Sequence, residues 1–249
     1  MAASGFRVFG TSRRPVSGGR NGVEMLALDV RDDESVRSCV EGVLDRTGRV
    51  DVLVNNAGSM HIGMAEETTE GEAKAVFATN FFGAVRVTNA ILPTMRHRGQ
   101  GRIINVGSLG AWIGEPGEAF YAGTKAALAR YTEALRHEVW HLGISVSLVE
   151  PGAFTTDVLR AASVSVPAIA DYDTVREAAR RTLAKSLRHG GDPHTVAALV
   201  VAIAGARSPK GRYTAGRDGR WLPYLKTLMP QRMFDRLLRR GYSLPRHRP

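Results

Sequence analysis

Two side chains four residues apart, Tyr121 and Lys125, and a serine thirteen residues before the tyrosine, Ser108, stand in the run SLGAWIGEPGEAFYAGTK. Where such a run opens a helix, positions i and i+4 lie one turn apart on the same face, so the phenol and the ammonium reach a common small volume. The chemistry this allows is proton exchange with an alcohol or a ketone. A free tyrosine titrates at about 10. A neighbouring ammonium favours the phenolate, which would bring Tyr121 toward neutral pH as an acid/base with Lys125 as its tuner. The Ser108 hydroxyl can hydrogen-bond the same substrate oxygen while its charge changes. Taken alone the pair has a second reading, a packed ring beside a solvated lysine on an amphipathic helix.

The surrounding chain predicts the elements that would position these groups. Phe6 to Thr11 and Val23 to Val30 read as short apolar strands, separated by Pro15, Gly18, Gly19 and Gly22. A helix is predicted from Asp32 with Val36, Val40, Val43 and Leu44 as its stripe. Val50 to Val54 reads as a strand running into Asn55-Asn56-Ala57-Gly58, Glu70 to Met95 as a long helix, and Arg102 to Val106 as a strand. Phe120 to Leu142 reads as another helix, and Ile144 to Val149 as a strand that stops at Pro151-Gly152. Strands alternating with helices imply parallel βαβ units with right-handed crossovers. Near-continuous apolar strands imply a sheet covered on both faces. The expected class is therefore α/β, a doubly wound, Rossmann-like parallel sheet. Ligands of such a sheet bind at the carboxyl ends of its strands, where Asn55, Ser108 and Pro151 all fall.

A chain of 249 residues, 43% hydrophobic and 23% charged, can bury one good-sized core. Its single cysteine, Cys39, can form no internal disulfide and offers no thiol metal site, which suits a reducing compartment. Among Val36, Val40, Val43 and Leu44 it reads as a small buried apolar residue. His97, His137, His141 and His194 show no spacing that converges on a metal. No signal-peptide pattern opens the chain and no apolar run approaches the ~20 residues of a membrane span, so a soluble, cytoplasmic protein is expected. The net charge of +10 is concentrated past Gly205, where Lys and Arg recur from Arg207 to Arg248 against only Asp218 and Asp235. An enzyme body with a basic appendage fits this better than a groove built around a polyanion, and no nucleic-acid partner is expected.

The chain resembles the short-chain dehydrogenase/reductase family. The resemblance rests on NNAG at Asn55 to Gly58, Asn80 within TNFFG, Ser108 within INVGS, YAGTK at Tyr121 to Lys125, and Pro151-Gly152 followed by Thr155, in the family's order from about residue 6 to residue 216. The tail especially is similar to that of hydroxysteroid and retinol dehydrogenase-like members. The resemblance implies that Tyr121 is the acid/base, that Lys125 lowers its pKa and holds the nicotinamide ribose, that Ser108 orients the substrate oxygen, and that Asn80 anchors a water linking the lysine to solvent. It also implies that Asn55 ties neighbouring strands beside the cofactor, that Asp29 and Val30 meet the adenine, and that Ala57, Gly58, Pro151, Gly152 and Thr155 complete the cofactor site. Structural readings stay open for Asn80, as a helix group satisfied by backbone, and for Asp29, as a helix-opening aspartate.

Arg13 and Arg14 end the first strand, where relatives that prefer NAD usually carry an acidic residue. A guanidinium suits a phosphate because its planar fork makes two charge-assisted bonds to the oxygens. NADPH is therefore expected over NADH, with Ser12 and Arg13 as its contacts. A pair of solvated loop arginines is the other reading.

The family opens with a strand, a glycine-rich turn of the form TGxxxGxG and a helix, ahead of the segment that begins here at about Phe6, and this chain shows none of them. Gly18, Gly19 and Gly22 cannot stand in, because no helix follows them. That turn is where glycines and a helix N-terminus receive the pyrophosphate. The strand would lie between those at Phe6 and Val50, so two ladders of backbone groups are expected to be left unpaired. One expectation is a trimmed start and a normal, longer enzyme. The other is a complete chain that binds dinucleotide poorly, a non-catalytic relative acting through its surface. The first is favoured, because an abandoned active site has no physical need to keep Ser108, Tyr121 and Lys125 together.

Residues 1–216 are expected to form the dehydrogenase domain and residues 217–249 a basic amphipathic extension packed on or beside it. Thr155 to His194 occupy the place of the family's substrate-binding segment. There Val158, Leu159, Val164, Val166, Ile169 and Tyr172 offer apolar surface, with Met60, Ile62, Met64 and Trp112 across the cleft. A bulky apolar alcohol or carbonyl substrate is expected over a charged sugar. In the extension Leu225, Leu228, Met229, Met233, Phe234, Leu237 and Leu238 form an apolar stripe with arginines opposite. It can cap the cleft, pack on a partner subunit of an expected homo-oligomer, or lie on an anionic membrane surface.

Overall fold

The computed structural model describes residues 1–15, 21–155, 162–166, 168–216, 219 and 221–245. Gly18, Gly19, Val158, Leu159, Arg217, Asp218, Arg220, Arg246 and Arg248 lie outside the described residues. In chain order the elements are β1 (Val8–Ser12), β2 (Val23–Ala27), α1 (Asp33–Thr47), β3 (Val52–Asn55), β4 (His61–Ile62), α2 (Glu70–Phe77), α3 (Gly83–Arg98), β5 (Gly101–Val106), α4 (Ala119–Glu138) and β6 (Ile144–Pro151). Then follow β7 (Ser163–Val164), α5 (Asp173–Arg188), α6 (His194–Gly205), β8 (Arg212–Ala215), α7 (Leu222–Leu228) and α8 (Gln231–Gly241).

Local chemistry sets the helix ends. The Asp32 carboxylate accepts from the Ser35 backbone N–H at 2.6 Å, Asp33 and Glu34 complement the positive end of α1, and Gly48 closes the helix at φ 68°. Thr69 and Glu72 form a reciprocal capping box at the start of α2.

β3, β5, β6 and β8 form a parallel sheet in that order. Its strands are apolar on both faces because helices cover both. Val36 and Val40 of α1, Val87, Ile91 and Met95 of α3, and Leu135 of α4 pack with Ile103 and Val146 on one side. Ile203 and Ala204 of α6 pack with Ile104 and Val149 on the other. This is the doubly wound, Rossmann-like layering that the alternation of strands and helices predicts. Cys39 is buried in α1, and burial pushes its thiol up, as befits a packing role.

β1 and β2 form a parallel ladder of their own. Among the described residues no strand joins β1 to β3, and residues of both line one cavity of about 1770 Å³ that reaches the carboxyl ends of β3 and β5. Among the described residues β1 and β3 each have a paired strand on one side only, in keeping with the two unpaired ladders that the sequence leads one to expect.

α2, a wide turn over Ala78–Phe82 with π-type bonding, and α3 run on as one helical stretch of 29 residues, Glu70–Arg98. Against the sequence expectation, this stretch is long and apolar enough to cross a membrane. Its Val87, Ile91 and Met95 pack with Ile103 and Val146 of the sheet, and Val76 is buried in α2, which gives the apolar run an inner face in the core. Gly83 explains the glycine of TNFFG: a Cβ there would stand 2.6 Å from Val30 Cγ2, so only glycine lets α3 close on the segment after β2.

Candidate active site

β5 and α4 bring the three chemistry-bearing residues together. Past β5 the chain turns at Ser108, whose hydroxyl accepts from the Gly110 backbone N–H at 3.1 Å and opens a short 3-10 turn over Leu109–Ala111. α4 begins at Ala119, so Tyr121 lies in its first turn and Lys125 one turn further on. Ser108 and Tyr121 flank Gly110, where a Cβ would stand 3.4 Å from the serine Oγ and 3.8 Å from the tyrosine ring, so the hydroxyl is near enough to act on the phenol. Lys125 is 6% exposed; its ammonium donates to the Val106 carbonyl oxygen at 3.0 Å and stands 5.9 Å from the centre of the Tyr121 ring.

The electrostatics correct the sequence reading. The surroundings of Tyr121 oppose the shift expected of Lys125. Burial pushes the phenol above its usual range, the Ser108 hydroxyl opposes this, and the Glu118 and Glu115 carboxyls add to it. Lys125 itself is pushed down to about 8 by burial. The ammonium is bonded to a backbone carbonyl rather than to the phenol, so desolvation of the phenol wins. At neutral pH the site therefore holds a protonated tyrosine and a charged lysine.

Asn80 is 1% exposed in the wide turn, a geometry common at functional sites. Its Oδ1 accepts from the Ser59 N–H at 2.7 Å, and its Nδ2 donates to the Ser59 carbonyl at 2.9 Å and to the Thr124 hydroxyl at 3.1 Å. It thus pins the loop after β3 to α4 one residue before Lys125. Asn55 donates to Asn105 Oδ1 at 2.8 Å and to the Thr88 hydroxyl at 3.0 Å, tying β3 to β5 and α3. At Gly58 a Cβ would lie 3.5 Å from Asn80 Oδ1 and 3.7 Å from Lys125 Nζ, so glycine keeps the space in front of the ammonium clear.

Of the residues expected at the cofactor, Val30, Asn55, Ala57, Gly58, Pro151 and Gly152 line the same cavity as Ser108, Tyr121 and Lys125. Ser12, Arg13 and Asp29 gather instead at the ends of β1 and β2, where the Ser12 hydroxyl accepts from the Arg14 N–H at 3.3 Å and the Arg13 charge acts on Asp29. The Asp29 carboxylate is held by Arg31, with Nε to Oδ1 at 3.0 Å and Nη2 to Oδ2 at 2.6 Å, and this bond sets it at about 2. An adenine amino group would have to share that carboxylate with a guanidinium the sequence reading did not consider. Thr155 stands apart: its hydroxyl donates to the Leu187 carbonyl at 3.2 Å, closing its loop on the end of α5.

The substrate side differs more. Trp112 is turned away, its Nε1 donating to Glu150 Oε2 at 3.0 Å with the Arg212 guanidinium 4.6 Å over its ring. Val164 and Val166 are exposed, Ile62 and Met64 are buried in the core, and the Tyr172 hydroxyl donates to Glu66 at 2.6 Å. Met60 does line the cavity, as expected. Further apolar wall comes from Ile113, from Leu183 and Leu187 of α5, and from Trp221, Leu222 and Leu225 at α7.

Two carboxyls in the cavity wall escaped the sequence reading, although their signal was present in EPGE. Pro116 and Gly117, the latter at φ 83°, occupy the middle of a tight turn in which the Glu118 N–H donates to the Glu115 carbonyl at 3.1 Å. Glu115 accepts from the Tyr242 hydroxyl at 2.6 Å, and burial together with the Glu115 charge pushes Glu118 up to about 8. Among the described residues no group of three or more His, Cys, Asp or Glu side chains is disposed to hold a metal ion.

Residues 12–167 match the family model described as short chain dehydrogenase. A 3-ketodihydrosphingosine reductase of Bacteroides thetaiotaomicron is 36% identical over 247 residues, covering 98% of this chain and 91% of the relative. Retinol dehydrogenase 8 of Bos taurus is 38% identical over 199 residues, 76% of this chain and 63% of the relative. Among solved structures, a short-chain dehydrogenase from Streptomyces avermitilis aligns with a TM-score of 0.82 at 36% identity, over 96% of this chain and 90% of the other.

Proposed function

The chain belongs to the short chain dehydrogenase family and is an oxidoreductase, and from that premise we propose that it interconverts an apolar secondary alcohol and its ketone, or an aldehyde, using NADP(H), with Tyr121 as proton donor and acceptor. The observation that carries this reading is the convergence of Ser108, Tyr121 and Lys125 on one cavity with largely apolar walls. The names of the relatives, a reductase of a 3-keto compound and a retinol dehydrogenase, support a carbonyl or alcohol carried on an apolar body.

The residues present suit a nicotinamide cofactor at its reactive end. Gly58 leaves open the space that a side chain would fill before Lys125, whose ammonium can donate to ribose hydroxyls. Arg13, with Ser12, supplies the charge that distinguishes a ribose phosphate from a bare ribose. When bound there, the cofactor supplies or accepts the hydride at the carbonyl carbon. The protein groups handle the oxygen. Ser108 holds it by a hydrogen bond, and Tyr121, kept protonated by burial, gives it a proton as negative charge develops. Lys125, charged below about 8, then stabilises the phenolate left behind.

The test is Tyr121→Phe, which keeps the ring and removes the proton. Reduction of an apolar ketone with NADPH should fall by about 100-fold or more, while the rise in melting temperature caused by NADPH is retained. Unchanged turnover would exclude Tyr121 as the proton donor.

A further inference from the structure

We propose that the outer face of α7 and α8 docks on an anionic lipid surface, and that an apolar substrate passes from that surface into the cavity past Trp221 and Leu225. The second half rests on the carbonyl and alcohol chemistry proposed above; the first half does not.

Trp221, Tyr224, Leu225 and Leu228 recur at the spacing of a single helical face. On α7 that face looks away from the protein, at exposures of 69%, 65%, 39% and 79%. α8 divides its apolar residues between two sides. Phe234 is buried with the Lys226 ammonium of α7 4.7 Å over its ring, and Tyr242, past α8, packs with Met64 and Ala179 of the body. Met233 and Leu237, one turn apart, are half exposed, at 53% and 52%. The tail is therefore anchored through one set of side chains and presents a second, uncovered set. Packing on its own domain accounts for the first set and leaves the second unexplained.

Charge identifies the occupant. Arg232, Arg236, Arg239 and Arg240 are all exposed on α8, and at 100° per residue Arg236 and Arg240 border the stripe of Met233 and Leu237. The acidic residue of this helix, Asp235, accepts from the Gln231 side chain at 2.7 Å. Large apolar side chains with aromatic rings, rimmed by arginines, match the boundary of an anionic bilayer, where rings lie at the headgroups and guanidinium groups meet lipid phosphates. A nucleic acid would use the arginines and leave Leu228 and Met233 in water. A protein partner that covered this face would need acidic groups opposite its arginines, an outcome the test below separates.

Position supplies the link to chemistry. Trp221, Leu222 and Leu225 also line the cavity that contains Tyr121. The exposed stripe and the reaction cavity therefore meet at α7, giving an apolar chain a route that does not cross water.

The experiment is co-sedimentation of the full chain with vesicles of phosphatidylcholine alone and of phosphatidylcholine mixed with phosphatidylglycerol. Binding should be at least about tenfold stronger to the anionic vesicles and should weaken as salt is added. Leu228→Glu and Met233→Glu change exposed side chains outside the catalytic set, so each should melt as the wild type does and lose about tenfold in vesicle binding. Reduction of a short, water-soluble ketone should be unaltered in these variants, and reduction of a long-chain ketone held in the vesicles should fall. Absence of binding to anionic vesicles overturns the docking, as does binding that both variants retain. Self-association that the variants abolish, without vesicle binding, would assign the face to a second copy of the chain and also overturn it. Vesicle binding needs no turnover, so failure of the hydride-transfer reading would leave this measurement intact.

Discussion

Replacing Lys125 by methionine, which keeps the length of the side chain and removes its charge, should make the protein more stable while making it inactive. Lys125 is 6% exposed and its folded-state titration is pushed by burial from the usual 10.5 down to about 8. At about 1.4 kcal/mol for each tenfold change in a proton equilibrium, holding the ammonium in the fold costs about 3 kcal/mol wherever both folded and unfolded chains are charged. Methionine forgoes that cost and also forgoes the bond to the Val106 carbonyl, worth about 1 kcal/mol. The net gain at pH 7 is about 2 kcal/mol, or roughly 4–8 °C in melting temperature for a chain of this size.

The pH dependence separates this from a packing effect. Below about 8 the folded and unfolded lysines are both charged and the full cost is present. Between about 8 and 10.5 the unfolded chain binds more protons than the folded one, so wild-type stability gains from this group as pH rises. The advantage of Lys125→Met should therefore shrink from about 2 kcal/mol at pH 7 to about zero at pH 10. Urea unfolding of both proteins at the two pH values measures it. A variant that melts at or below the wild type at pH 7, or an advantage that does not change with pH, would refute the argument that the lysine is buried at a cost. Ketone reduction should be lost at pH 7, where the wild-type lysine is charged, because the phenolate of Tyr121 is left without its cation.

Arg13→Glu should reverse the nucleotide preference, so that NADH rather than NADPH raises the melting temperature and the ratio of their KM values shifts by at least about tenfold. An unchanged ratio would place the phosphate away from Arg13. Glu118→Gln should have little effect on stability at pH 5 and stabilise increasingly toward pH 8. The folded carboxyl is pushed from 4.5 up to about 8, so between these values the folded wild type binds more protons and loses stability as pH rises, whereas glutamine does not titrate. A difference that is constant with pH would mean that the carboxyl is not held in its neutral form.

The convergence of Ser108, Tyr121 and Lys125 on one cavity was legible because it depends on local rules: a strand end, a helix start and an i to i+4 spacing. The same locality exposed Asn55 as a strand tie and the helix opening at Asp32. What it hid depends on three-dimensional competition. Tyr121 and Lys125 are close in sequence, yet the direction of the tyrosine shift is set by burial, which spacing does not reveal. Asp29 occupies the expected strand end, but Arg31, two residues on, takes its oxygens. Trp112 looks like a cleft residue until Glu150 and Arg212, from β6 and β8, claim it. Thr155 follows the Pro-Gly motif and is drawn off by the Leu187 carbonyl at the end of α5. For Trp112 and Thr155 the partner lies on an element that the local pattern does not place beside the side chain, whereas for Asp29 it is a neighbour in the same turn.

The burial of these polar groups also bears on whether the chain works as an enzyme or acts through its surface. Asn80, Glu118 and Lys125 are 1%, 7% and 6% exposed. Glu118 and Lys125 are both pushed by burial toward their neutral forms. A fold that needed only to pack would be more stable with apolar groups at the last two positions, and many single substitutions reach that state. A site that must hand a proton to an oxygen needs the opposite. It requires a phenol kept protonated until the moment of transfer, a cation beside it to receive the charge, and apolar walls that make that charge matter. Ser108, Tyr121 and Lys125 meet these conditions together, and the stability they forgo is the physical argument for the catalytic reading over the silent one.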